Sequence, residues 1–172
     1  FSIEEAHKTL LKRDIYRFIL YRMASYLVTV SFHLSPSLKN KYWLSRTHIN
    51  IIPNGIDTAH YSPDLSVRLS MRKKLHFDEN DFVIVFSGRL DPVKNFELLL
   101  EVFEYCYRSD RTAKLLIVGD GPERPKIEQI CRQKNIHAGL VMVGQKSEVL
   151  PYLRAGDVFL LTSLTEQMPL TI

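Results

Sequence analysis

Cysteine is scarce: Cys106 and Cys131 are the only two in 172 residues, each alone in a helical pattern and without Cys-x-x-Cys spacing. That speaks against a disulfide framework or a thiolate metal site and favours buried free thiols in a reducing compartment, so the cytoplasm is expected. No apolar run approaches the roughly 18 residues a membrane-spanning helix needs. Neither a signal-peptide pattern nor a low-complexity tract occurs. Blocks of one charge are absent too. The 23 Lys and Arg outweigh 19 Asp and Glu for a net charge of +4, but the basic residues are scattered. Such a balance suits an anionic ligand or membrane surface, and no nucleic-acid partner is expected.

What remains is an ordinary globular composition. With 45% apolar residues the chain can bury one sizeable core, so one domain with an attached segment is expected. The chain opens on Phe1 rather than Met and stops at Ile172 after an apolar run, as expected of a piece cut from a longer protein.

The stretch that organises the chain is Phe82-Val83-Ile84-Val85-Phe86-Ser87-Gly88-Arg89-Leu90-Asp91-Pro92-Val93-Lys94-Asn95. Its apolar run is too short for a helix and ends at glycine, which predicts a strand buried on both faces and interior to its sheet. Asn95 is a candidate N-cap for a helix over 96–109, with Glu97 in the first turn. Arg89 and Lys94 would then lie between the carboxyl end of a strand and the amino end of a helix, where open α/β sheets bind anions. An ordinary connecting loop with two solvated cations is the competing explanation.

Upstream, residues 3–26 predict an amphipathic helix with Leu11, Ile15, Phe18 and Ile19 on one stripe. A basic helix of this kind can lie on an anionic membrane at the inner face or simply pack on its own protein. Strands over 27–31 and 49–52 flank a short helix at 36–40, making a βαβ unit closed by the turn Pro53-Asn54-Gly55-Ile56-Asp57. Residues 65–75 predict a helix, and Asp78-Glu79-Asn80-Asp81 a solvated turn without the ligand spacing of a calcium loop. Downstream, strands at 114–119, 140–144 and 157–163 alternate with helices, one of them opened by Pro122 and another over 147–155. The expected fold class is α/β, a parallel Rossmann-like sheet with helices on both faces, its polar loops gathered at one edge. Gly119 and Gly121 fit a phosphate-cradling loop and a tight strand-to-helix turn equally well.

Four motifs occur in order: Ile52-Pro53-Asn54-Gly55-Ile56-Asp57, Ser87-Gly88-Arg89-Leu90 with Lys94-Asn95, Val118-Gly119-Asp120-Gly121-Pro122, and Ser163-Leu164-Thr165-Glu166. Together they resemble the nucleotide-binding half of glycosyltransferase family 4, enzymes of GT-B fold. The resemblance implies sugar transfer from a nucleotide-diphosphate-sugar donor, with retention of configuration, to a glycan, lipid or small-molecule acceptor. It implies that Arg89 and Lys94 hold the diphosphate beside Gly88, that Glu166 faces the donor sugar, and that backbone at Val143 and Gly144 meets the base. The segment Gln167-Met168-Pro169-Leu170 would complete the donor pocket as it leads into a helix. No Asp-x-Asp motif appears, so Arg89 and Lys94 would neutralise the leaving phosphates without metal or other cofactor.

Departures from the pattern are equally specific. Gln167 stands where the family often has glycine, and the second glutamate of the motif would fall beyond Ile172. On this reading residues 1–26 are an interdomain or linker helix and 27–172 a partial donor-binding domain. The acceptor-binding amino-terminal domain is the expected missing partner, and the fragment alone is expected to be inactive. A sugar-nucleotide epimerase of GT-B architecture, or a non-catalytic nucleotide-binding relative, would use the same crevice.

Overall fold

Why β3 must lie at the centre follows from where its side chains go. In the computed structural model, which describes residues 14–32, 34–44 and 48–166, β3 (Phe82–Ser87) is buried at every position after the first. Its neighbours are β4 (Ala113–Val118) on one side and β6 (Val158–Phe159) on the other, both parallel to it. With β5 (Leu140–Gly144) beyond β4, the sheet order is β5-β4-β3-β6.

Alternation along β3 and β4 sends side chains to two faces. Ile84, Phe86, Leu115 and Ile117 join Leu99, Leu100 and Phe103 of α4 (Phe96–Ser109) and Ile127 and Cys131 of α5 (Arg124–Gln133) in one core. Val83, Val85, Leu116 and Val118 pack on the other face with Phe77 and with Tyr152 of α6 (Leu150–Ala155). Two covered faces are what an unbroken apolar run requires, so the expected interior position and helices on both faces are observed.

Helix α3 (Leu65–Lys74) begins where Asp64 accepts the Val67 N–H at 3.0 Å, and that bond leads the influences holding the Asp64 carboxyl below its ordinary value. Its Arg72 is buried to 3% exposure, which the helical pattern alone does not disclose. The guanidinium donates to the carbonyls of Ala155, Asp78 and Asp81 at 3.0, 2.8 and 2.5 Å, tying α3 to the end of α6 and to the turn before β3. Asp157 receives Arg68 at 2.5 Å and the Val83 N–H at 2.7 Å. Burial alone would raise the Asp157 carboxyl; these partners and Arg72 hold it below its ordinary value.

Several expectations are corrected. The turn at 78–81 is not wholly solvated, because Asp81 is buried and its Oδ2 accepts the Asp78 N–H at 2.9 Å. Helix α5 begins at Arg124 with Pro125, not Pro122, in its first turn. Helix α6 starts at Leu150 rather than 147, and β6 spans only Val158–Phe159, paired with β3 at the sheet edge. Cys131 is buried and its thiol is pushed up to about 11 by that burial, whereas Cys106 is only partly covered.

The chain divides into two compact units; among the described residues the first ends at Gly55 and the second runs Ile56–Glu166. In the first, helical residues 14–23 (α1) precede β1 (Tyr26–Thr29), α2 (Leu34–Tyr42) and β2 (His48–Ile51). The expected βαβ unit is present, with Tyr26 opposite His48 in parallel register. However, it forms a separate two-stranded sheet instead of extending the larger one. Apart from the buried Thr29, its strands alternate between exposed and partly covered positions, so they lack the two-faced apolar surface that an interior strand needs. The α1 stripe is also not a buried one: Ile15 and Ile19 are exposed, while Leu11 lies outside the described residues. Among the described residues no helix is long and apolar enough to cross a membrane.

Candidate functional site

The strand order creates a division at β3: the chain leaves it toward β4 on one side and returns beside it as β6 on the other. In such sheets the loops at the carboxyl ends of these two strands part company and leave a crevice, the usual ligand position of open α/β folds. Arg89 and Lys94 are on the loop after β3, and Glu166 is on the segment after β6.

Backbone contact between the β3 and β4 loops builds the crevice wall. Gly88 N–H donates to Val118 O, Leu90 N–H to Asp120 O and Glu123 N–H to Leu90 O, each at 3.0 Å. Leu90 itself is fully buried, anchoring the loop from below. This approach leaves no room for side chains at two positions. A Cβ on Gly119 would stand 1.9 Å from Gly88 O, and one on Gly121 within 2.7–2.9 Å of the Leu90 backbone. The glycines that fit a phosphate loop and a tight turn equally well are therefore fixed by the meeting of two loops.

Beside this wall is a cleft of about 440 Å³ whose lining includes Gly88, Arg89, Gly119, Asp120, Gln145 and Lys146. Gln145 and Lys146 were not singled out in the sequence; their position directly after a strand-ending glycine was the available signal. Gly144 marks that strand end with φ 72°, and its carbonyl accepts the Gly119 N–H at 2.9 Å. Val143 is partly buried and packs on the core face that α6 covers.

Arg89 and Lys94 are each paired with a carboxylate. Arg89, three-quarters exposed, turns to Asp91 at 3.0 Å. Lys94 Nζ is 2.5 Å from Glu166 Oε1, with the two side chains only 20% and 26% exposed. Its Cε would be 4.0 Å from a Gly88 Cβ, so the lysine stem runs beside a residue of the cleft. Lys94 is the main reason the Glu166 carboxyl is held below its ordinary value. The Ser163 hydroxyl, buried and without a hydrogen bond of full geometry, adds to that effect. Glu166 is therefore a carboxylate at neutral pH, able to accept hydroxyls.

Asn95 meets the expectation only in part: it holds the N-cap position of α4, where its carbonyl accepts the Leu99 N–H at 3.3 Å. It adopts the left-handed region at φ 52° and its side chain makes no capping bond to α4. The preceding residues Pro92–Lys94 form a 3₁₀ turn, and Asn95 closes that turn through its N–H to Pro92 O instead. The sequence reading also named Gln167, Met168, Pro169 and Leu170, which lie outside the described residues.

Residues 67–172, more than half of the chain, match the family described as Glycosyl transferases group 1. The chain belongs to that family. Among its relatives is the UDP-Gal:alpha-D-GlcNAc-diphosphoundecaprenol alpha-1,3-galactosyltransferase of Escherichia coli, 32% identical over 127 residues covering 72% of this chain and 33% of that protein. The alpha-monoglucosyldiacylglycerol synthase of Acholeplasma laidlawii is 30% identical over 126 residues, covering 70% of this chain and 32% of the relative. This group 1 chain thus spans about a third of the length of those curated relatives. In fold it is similar to Anabaena Alr3699/HepE, solved in complex with UDP and glucose, with a TM-score of 0.75 at 19% identity over 91% of this chain and 43% of the other. The α/β architecture is that of the Rossmann-like half of GT-B glycosyltransferases.

Proposed function

We propose that this chain is the donor-binding part of a family 4 glycosyltransferase that transfers a sugar from a nucleoside diphosphate sugar with retention of configuration. The observation that carries the reading is the meeting of Lys94 and Glu166 beside the Arg89 cleft, at the point where the sheet order reverses. A diphosphate leaving group gathers negative charge as the glycosidic bond breaks, and fixed cations lower that barrier most where water is scarce. Arg89 and Lys94 are the cations in this reading, with Gly88 allowing close approach, and no resident metal or cofactor takes part. When phosphate draws Lys94 away, the Glu166 carboxylate is left to accept hydroxyls of the donor sugar. Backbone at Val143 and Gly144 meets the base.

The names of the relatives support a uridine nucleotide donor and a lipid-linked or lipid acceptor, since the Escherichia coli enzyme is named for both and the Acholeplasma enzyme for a lipid product. An amino-terminal acceptor-binding domain of the same chain is the partner this requires, with residues 1–26 as the segment that links the two. The exposed Ile15, Ile19, Leu20 and Met23 of α1 support a peripheral membrane contact at the cytoplasmic face.

Calorimetric titration of the full-length protein with UDP, followed by an assay with UDP-sugars and analysis of the product anomer, tests this. Binding of UDP with transfer and retention is expected. Absence of any nucleoside diphosphate binding would overturn the donor site, and an inverted anomer would overturn the stereochemical part alone.

A further inference from the structure

The segment after β6 grips the loop after β3 through more than the Lys94–Glu166 pair. The Thr162 hydroxyl stands 3.0 Å from the Lys94 carbonyl oxygen and 3.1 Å from that of Asn95. Two residues on, the Leu164 N–H donates to Val93 O at 2.9 Å. One hydroxyl has a single proton to donate, so Thr162 is shared between two acceptors. Those acceptors belong to the peptide planes on either side of the Asn95 Cα. The φ and ψ of Asn95 are the angles between these planes, and φ there is 52°, the left-handed region that asparagine enters more readily than other non-glycine residues. A single group bonded to both planes braces that angle. The bond to the Lys94 carbonyl holds the backbone of the very residue whose side chain reaches Glu166, so that side chain starts from a fixed point.

We propose that Thr162 is a positioning residue for donor binding: its hydroxyl locks the Asn95 turn and so aims Lys94 at the diphosphate. The proposal rests on the nucleotide-sugar reading given above. A side chain that merely fills space here could be valine, which has the same shape, so the hydroxyl is what the test must isolate.

The experiment measures UDP affinity by calorimetry on the full-length protein and on Thr162→Val, Thr162→Ser, Lys94→Ala and the Thr162→Val/Lys94→Ala double variant. Thr162→Val should weaken binding roughly three- to fivefold, the scale of one net hydrogen bond. Thr162→Ser keeps the hydroxyl and should stay within about twofold of the parent. In the Lys94→Ala background Thr162→Val should add less than about twofold, because its effect runs through the lysine. Parent-like affinity for Thr162→Val, a serine variant as weak as valine, or two losses that simply multiply would each overturn the assignment. If Thr162→Val does not fold, Thr162→Ala carries the same comparison; failure of both to fold would reduce Thr162 to a residue of the fold and overturn it. A parent protein that binds no nucleoside diphosphate defeats the donor reading itself, which is visible before any variant is made.

Discussion

Lys94 and Glu166 are 72 positions apart in the chain and 2.5 Å apart in the fold. Neither strand nor helix joins them directly; they meet because β6 returns to the free side of β3 after two strands have been laid on the other. The pairing neutralises a cation and a carboxylate that the proposed reaction needs separately. A donor must therefore part them, and its phosphates are the group with the charge to do so. In the proposed reaction this makes the pair both a support for the crevice wall and a cost against donor binding.

That cost orders the two cation variants. Arg89 gives up only an exposed partner, and pairs of that kind contribute about 0–1 kcal/mol. Its guanidinium can then hold phosphate through two parallel bonds. Arg89→Ala should therefore weaken UDP binding by about ten- to a hundredfold, the range of a lost charged hydrogen bond of roughly 1.5–3 kcal/mol. Lys94→Ala should cost less, about tenfold, since the lysine contact is net of the broken Glu166 pair. Calorimetric titration of both variants checks the order, and equal or reversed losses would contradict it.

Gly119→Ala should damage the fold and the site together. The added methyl would overlap Gly88 O, a backbone atom that cannot step aside without moving the β3 loop. Overpacking of this kind costs about 1–3 kcal/mol, and here the upper end is expected because backbone meets backbone. Urea denaturation should show the lost stability, and UDP affinity should fall as well because the displaced loop carries Arg89. A variant with parent-like denaturation would mean the two loops are not in contact.

How far the sequence alone reached follows the length scale of each feature. The interior position of β3 and the extent of α4 were legible because an unbroken apolar run and a regular helical period are local signals. Glu166 and Lys94 were placed at one sheet edge by the alternation of strands and helices, but their direct pairing depends on strand order, which no local pattern encodes. Asn95 misled for a different reason. It does hold the N-cap position of α4, but in the left-handed conformation that goes with the 3₁₀ turn before it and Thr162 across from it, so its side chain does not cap. Arg72 was hidden because an arginine on an amphipathic helix ordinarily faces water; its burial depends on carbonyls that converge from α6 and the turn before β3.

Arg72→Met should destabilise the second unit without altering UDP affinity in the folded protein. Methionine can fill much of the volume but leaves the carbonyls of Ala155, Asp78 and Asp81 without the donor they share. A buried acceptor left without its donor typically costs about 1–3 kcal/mol, so a loss of that order is expected. Thermal unfolding and calorimetric titration, done on the same samples, separate the two effects. Lost affinity in a fully folded variant would show that Arg72 reaches the crevice by a route its contacts do not reveal.

Glu166 carries a pH signature whose direction can be worked out. Its folded value lies below the ordinary 4.5, chiefly because of Lys94. The stabilisation from this group is therefore present above the ordinary value and is lost as pH falls through the depressed folded one. Glu166→Gln should flatten the acid side of the stability curve below about pH 4.5 and leave the neutral region's slope unchanged. Lys94→Ala acts oppositely on the carboxyl: without its main partner Glu166 rises toward the ordinary value, and the acid limb of kcat/KM should move to higher pH. In the transfer assay Glu166→Gln should lower turnover by about ten- to a thousandfold, the scale on which a polar group contacting the reacting sugar contributes. UDP affinity should not fall, because Lys94 no longer has a carboxylate to leave. A loss of UDP binding in Glu166→Gln equal to the loss in turnover would place the glutamate on the phosphates rather than on the sugar.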